Sequence, residues 1–424
     1  MPAPPLRIDP FRPRRIPANV RLSRRIAHRG WAMTRHEAFV MGFSRRQALR
    51  LIGLSGAAAL IAACSAGPAG APAQKAPGQS TAAPATQTWD EVVAAAKTEG
   101  VVNIATYAGT GYRKVMDDFE AAFPGLKVDQ TGFQSSSRDF VPRLLQERNA
   151  GLFGWDIALM PSPEMLIQVH PVGGLDALRP LLMHPEVLAD ASWGDALNGG
   201  FVDTAKQLSY AITRARSQSL WIDTNQVKDD EIKSYRDLLD PKWKNRLLAG
   251  DLRTKGSGYN TGTTLRLKTR DEDILRKIYK DQEAVLSTDA RQLTEFAVRG
   301  AYPVSLGAVS KPILLDFLAQ GVGKNLKCIA LPEVDYVYSG SNLLHFVNKA
   351  PHPAAAKLFV NWVLTKDGSS SFSRNLQDNS RRVDVPVFDP DTVPEKGVDY
   401  TLLDAEEILP ELQKTQDMAK ALLN

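Results

Sequence analysis

From Thr88 onward, short apolar runs alternate with helical segments of about a dozen residues, which restricts the chain to an α/β architecture with a largely parallel sheet. Thr88-Trp89-Asp90-Glu91 has the form of a capping box, and the helix it starts ends at Gly100. Val101 to Tyr107 reads as a strand. Gly109 to Phe123 follows with helical spacing of Val115, Phe119 and Ala122, and stops at Pro124-Gly125. Leu126 to Phe133 is a second strand, Arg138 to Ala150 a helix, and Asp156 to Met160 a third strand. Further strands are expected over 208–213, 219–223, 302–306 and 324–331. Helices are expected over 232–244 (up to a proline-marked turn), 270–286, 292–299 and 353–363. No internal repeat is visible.

The N-terminal part has a different character. Arg45 and Arg46 precede an uncharged stretch from Leu51 to Ala63, and Cys64 follows. Thirteen apolar or small residues fit a signal h-region and fall well short of the roughly 20 needed to span a bilayer. Ser44-Arg45-Arg46-Gln47-Ala48-Leu49-Arg50 resembles a twin-arginine signal, with Ala48 where phenylalanine is usual, so either export route stays open. Ile61-Ala62-Ala63-Cys64 resembles a lipobox, which implies lipidation of Cys64. Residues 1–63 are therefore expected to be leader and signal, the true start being Met33 or Met41. Residues 64–87, mostly Ala, Gly, Pro, Ser, Thr and Gln, are expected to be a lipid-anchored flexible tether.

The leader also distorts the charge. Residues 1–50 hold 12 of the 52 basic residues and 2 of the 47 acids. The formal +5 becomes about −5 once the leader is set aside, which removes the electrostatic case for a nucleic-acid partner. The second cysteine, Cys328, lies in a strand-like run and is expected to be a buried free thiol. Two cysteines, one of them lipidated, leave no disulfide and no cysteine-based metal framework.

Several segments together resemble the iron-type branch of the periplasmic solute-binding proteins of ABC importers. They are Ala96-Lys97-Thr98-Glu99-Gly100-Val101-Val102, Phe123-Pro124-Gly125-Leu126-Lys127-Val128, Asp237-Leu238-Leu239-Asp240-Pro241-Lys242-Trp243-Lys244, Lys349-Ala350-Pro351-His352-Pro353 and Ser380-Arg381-Arg382-Val383-Asp384-Val385. The likeness runs from residue 89 to about 390. It implies a type II periplasmic-binding-protein fold, two mixed α/β lobes joined by hinge strands. The first lobe is expected over 88–208 plus about 331–370, the second over about 209–330 plus 371–424. The chain is expected to cross between them near 207–213, again near 324–333, and once more after the Ala-rich helix. The resemblance further implies a small-molecule ligand captured by hinge closure, permease and ATPase partners in the inner membrane, a monomer, and no cofactor.

In such folds the ligand meets loops at strand ends and helix N-termini. The first candidates are Thr106, Tyr107 and Thr110, where glycines permit close backbone approach. The second are Ser135, Ser136, Ser137 and Arg138, three hydroxyls and a guanidinium at a helix start, which suit an anionic oxygen or simply cap the helix. Ser257, Tyr259 and Asn260 lie in a Gly/Ser/Thr loop without Walker spacing. Ser310 follows Gly307 where ferric-binding relatives carry adjacent tyrosines, and this chain has no Tyr-Tyr pair. Tyr336 and Tyr338 would share one face of a strand, towards the cleft or the core. Hard phenolate donors for ferric ion are thus in doubt, and the reading favours an organic, polar and optionally anionic solute. No metal site is assigned.

The sequence lacks Gly-x-Ser-x-Gly and His-Glu-x-x-His, so an exported hydrolase is disfavoured and no catalytic residue is assigned. A ferric-binding protein of the same family and a ligand-presenting signalling adaptor remain as alternatives.

Overall fold

The computed structural model describes residues 87–340 and 342–423. The leader, the signal, Cys64 and the tether up to residue 86 lie outside the described residues. Two mixed sheets carry the fold. In the first, Val101–Tyr107 runs parallel to Lys127–Phe133 along its whole length and to Ile157–Leu159. Leu343–Val347 then joins antiparallel to Ile157–Leu159, and Leu175–Asp176 and Ser209–Ala211 both pair with it. In the second sheet the order is Leu326–Ile329, Leu220–Asp223, Val304–Leu306, Leu247–Gly250, Val285–Ser287, and the last three are mutually parallel.

Local chemistry explains the first lobe. The Thr88 hydroxyl accepts from the Glu91 N–H and the Glu91 carboxylate from the Thr88 N–H, and Gly100 closes this helix at φ 75°. Glu99 then accepts from the N–H groups of Ala354 and Ala355, so one helix's end caps the start of the Pro353–Leu364 helix. Phe119 packs edge-on against Phe359, with Trp362 beside it, and ties that helix to Thr110–Ala122 over the sheet.

The lobes are joined by strands of a third, small sheet, Thr401–Leu402, Tyr336–Tyr338 and Ala215–Arg216. The chain leaves the first sheet after Ala211, passes through Ala215–Arg216 and enters the second at Leu220. It returns from Ile329 through Tyr336–Tyr338 to Leu343. These two crossings lie several residues later than the sequence suggests. Ser209–Ala211 is still a first-sheet strand, because its partner is Leu343–Val347, more than 130 residues away. Helix Lys366–Leu376 packs on Thr110–Ala122 through Asp118, which accepts from Ser371, Arg374 and Asn375, so the segment just beyond residue 370 lies with the first lobe. Arg381 reaches Tyr210 in the same lobe.

Three local expectations change. Residues 232–244 form two 3-10 turns, Tyr235–Leu239 and Pro241–Trp243, rather than an α-helix. The stretch 270–286 holds a π-turn, Arg276–Asp281, and then a strand, Val285–Ser287. The Gly/Ser/Thr run is no loop but the first turns of a helix, Ser257–Thr269. Propensity argues against that helix, and burial of Thr261, Thr263, Thr264 and Leu265 overrides it. Gly258 permits it. A Cβ there would come within 2.2 Å of the Gly250 carbonyl oxygen, so only glycine lets the helix start sit on the strand end.

A polar pin holds the crossing strands together. Arg216 donates to Asp335 at 2.8 Å, and Asp335 also accepts from the Ser219 and Leu331 N–H groups. The Ser217 N–H donates to the Tyr336 carbonyl oxygen and its hydroxyl accepts from the Tyr336 N–H. Asp335 is fully buried.

Candidate ligand-binding cleft

Two adjoining cavities of about 820 and 410 Å³ meet at Tyr338. The larger is walled from the first lobe by Ser135, Ser136, Ser137, Arg138 and Glu164. From the second lobe come Lys255, Gly256, Tyr259 and Asn260, and Leu403 and Asp404 close it from the C-terminal segment. The smaller lies against the crossing strands, with Ser217, Ser257, Gly307, Ser310, Tyr336 and Asp378 among its walls. The volumes suit a metabolite-sized solute.

Of the thirteen sequence candidates, ten line these cavities and three do not. Ser135, Ser136, Ser137 and Arg138 stand at the start of helix Ser137–Asn149. Ser136 has φ 53°, and its hydroxyl contacts Met160 Sδ at 3.5 Å. Ser257, Tyr259 and Asn260 lie in the first turn of their helix, and Asn260 Nδ2 donates to the Tyr336 hydroxyl at 3.5 Å. Tyr336 is buried, whereas Tyr338 is 37 % exposed, and their rings lie 5.6 Å apart on one side of the strand. Thr106 is fully buried, with its hydroxyl between the Tyr107 carbonyl and Gln130. Tyr107 and Thr110 are exposed and border neither cavity. The first candidate loop therefore lies off the cleft.

An ion pair spans the lobes. Lys255 Nζ lies 2.9 Å from Glu164, which also accepts from the Ser137 hydroxyl at 2.9 Å. Burial pushes the Glu164 carboxyl up, but Lys255 and Ser137 outweigh it and hold it below the usual carboxylate range. Lys255→Ala should loosen the contact between the lobes, read as a larger radius of gyration of the unliganded protein by small-angle scattering. An unchanged radius would show that the pair holds nothing.

Four residues at or beside the cleft escaped the sequence reading: Asp378, Asp404, Glu164 and Lys255. No motif marks them, and only the fold brings them together. Asp378 accepts from Asn342 Nδ2 at 2.6 Å, and Asn342 in turn accepts from the Tyr112 hydroxyl at 2.8 Å. Asp404 accepts from the Ser339 N–H. Burial pushes each of these carboxyls up to about 6. Burial, with the nearby charges of Asp378, Asp404 and Asp389, pushes the Tyr338 hydroxyl up to about 12.

Other polar groups have structural work. Ser209 and His345 meet at 2.9 Å, but both are fully buried within the first sheet, where no substrate reaches them. Cys328 is free and half-buried rather than fully buried, since its strand is the second sheet's edge. Burial pushes its thiol up to about 12, which leaves little thiolate at neutral pH. Among the described residues no three His, Cys, Asp or Glu side chains converge as a metal site would require.

Two lobes on mixed sheets, crossing strands between them and a cleft with polar groups from both lobes define a two-lobe solute receptor. The bacterial extracellular solute-binding protein family matches residues 102–375, and the chain belongs to that family. No curated relative matches the sequence. Solved structures share the fold at low identity. A Trichodesmium IdiA/FutA protein in complex with iron and citrate matches at TM-score 0.54 and 16 % identity over 76 % of this chain and 98 % of that one. A Bordetella ferric binding protein gives 0.55 and 16 % over 76 % and 98 %. An ABC transporter protein from Clostridium perfringens gives 0.56 and 14 % over 76 % and 100 %.

Proposed function

We propose that this protein is the extracytoplasmic receptor subunit of an ABC importer. It captures a small polar organic solute between its lobes, as a monomer, and presents the closed form to a permease and its ATPase. After signal removal, by either the twin-arginine or the general route, a lipid on Cys64 holds it at the membrane. The observation that carries the reading is the cleft itself, to which both lobes contribute polar side chains and which Glu164 and Lys255 bridge.

The Ser257 helix start supports one feature of the solute. Gly256 gives that helix no side-chain cap, and its free N–H groups lie at the cleft with Arg138 on the facing wall. An anionic group of the solute fits there. Ferric ion fits less well. Burial raises the pKa of both Tyr336 and Tyr338, which opposes the phenolate form that ferric ligation requires.

The test is a solute screen on delipidated mature protein by calorimetry, with scattering on every binder. One solute bound at one site per chain with measurable compaction supports the receptor function. If no solute or metal binds, the receptor reading fails. Radiolabelled palmitate incorporated by wild type and not by Cys64→Ala would establish the anchor, and equal incorporation would refute it.

A further inference from the structure

We propose that the solute carries a protonated amine, seated on the face of Tyr338 between the carboxylates of Asp378 and Asp404. This deepens the receptor reading and rests on it.

The placement begins with Tyr338. It borders both cavities, with Asp404 among the walls of the larger and Asp378 among those of the smaller. It is also the exposed member of a tyrosine pair whose buried partner, Tyr336, lies 5.6 Å away. The two rings meet at a tilt of 57°, so Tyr336 supports Tyr338 from one side and Tyr338 stays open to the cavity. An aromatic face with carboxylates beside it is the combination that holds an ammonium group, by its charge and by the ring quadrupole.

Among the described residues neither carboxylate has a cation in contact with it, and Arg214, which acts on Asp404 from a distance, is committed to Asp195. Asp378 is satisfied on one oxygen by the neutral amide of Asn342, which the Tyr112 hydroxyl holds from behind. Asp404 is satisfied by the Ser339 N–H. Neither forms an ion pair among the described residues. Asp389, the third acid near Tyr338, is paired with Lys311 at 2.6 Å. Two half-buried to buried carboxylates without a counter-ion are costly unless something cationic arrives.

A separate observation points to a missing partner at the same wall. The Ser339 hydroxyl is buried and makes no hydrogen bond of good geometry, and it sits close enough to Asp404 to help hold that carboxylate. It belongs to the residue whose N–H binds Asp404, between Tyr338 and Gly340, which both border the larger cavity. Buried hydroxyls of folded proteins are rarely left orphaned. An ammonium has three N–H donors, enough for two carboxylates and this hydroxyl.

The test uses fragments, so it does not depend on the native solute. Thermal unfolding of the mature protein is followed at pH 7.5 with n-butylammonium chloride, sodium butyrate and 1-butanol at matched ionic strength, up to 0.1 M or so. The expected result is a concentration-dependent rise in Tm with butylammonium only. Tyr338→Leu and the Asp378→Asn/Asp404→Asn double variant should abolish it. Tyr338 is exposed enough that its substitution should leave the fold intact, which guards against a double variant that fails to fold. A rise with butyrate alone, an equal rise with butylammonium in wild type and in Tyr338→Leu, or no rise with butylammonium overturns the amine seat. None of these touches the receptor reading, which stands or falls on the solute screen.

Discussion

Asp335→Ala is expected to lower the unfolding free energy by roughly 3–5 kcal/mol, the usual cost of removing one partner from a buried ion pair. Four groups lose their acceptor together: the Arg216 guanidinium, the Ser217 hydroxyl, the Ser219 N–H and the Leu331 N–H. Arg216 would retain only its contacts to the Ser217 and Asp391 carbonyls, and its Nε already lacks a partner. The damage falls where Ala215–Arg216 and Tyr336–Tyr338 cross between lobes, so it should reach both. Asp335→Asn, which keeps the shape and loses the charge, should cost less but still clearly destabilise. Chemical denaturation followed by tryptophan fluorescence measures the change. A loss under about 1 kcal/mol for the alanine variant would show that the crossing does not depend on this pin, since exposed pairs are worth no more than that.

What the sequence discloses and what it conceals divides by sequence distance. The Thr88/Glu91 box, the stop at Gly100 and the helix over Thr110–Ala122 rest on neighbouring residues and are legible. The destination of Ser209–Ala211 is not, because it is set by a partner strand far along the chain. Helix Ser257–Thr269 is hidden for a different reason. Its glycines and threonines argue for a loop, and only contact with Gly250 and Gly307 turns that composition into an advantage. The same division runs through the cleft. Ser135 to Arg138 stand out as consecutive hydroxyls before a helix. Asp378 and Asp404 sit in unremarkable contexts and gain meaning only beside Tyr338, at the junction of three separate chain segments.

Asp378 and Asp404 also predict an unusual pH profile. Both carboxyls are pushed to about 6 in the folded protein, against an ordinary value of 3.8. Between these values the native state binds protons that the unfolded chain does not, so their contribution to stability is full below about 4 and is lost as pH rises through 6. At pH 7.5 both are charged, short of solvent and unpaired. The groups facing them are Asn342, Tyr112 and Tyr338 for Asp378, and Ser339, Tyr338 and the charge of Arg214 for Asp404. Arg214 is itself committed to Asp195. His345 works in the opposite sense. Burial lowers its pKa to about 4, so acidification below the ordinary 6.5 protonates the unfolded chain first and costs stability. Carboxyls held low by partners, such as Glu164 and Asp195, lose their contribution only at more acid pH. The wild-type profile between pH 7 and 5 should therefore be nearly flat, two opposed contributions offsetting each other. The Asp378→Asn/Asp404→Asn variant removes one of them. It should be more stable than wild type at pH 7.5 by on the order of 2 kcal/mol, since each tenfold change in proton affinity is worth about 1.36 kcal/mol and Asp378 keeps partial access to solvent. That advantage should shrink to nothing by about pH 4, and the variant should lose stability on acidification where wild type does not. Urea unfolding from pH 4.5 to 8 separates the cases. A variant less stable than wild type at pH 7.5, or an advantage that does not change with pH, would mean that the two carboxylates are already compensated in the folded protein. A gain in stability together with loss of ammonium binding would instead mark them as groups retained for binding at a cost to the fold.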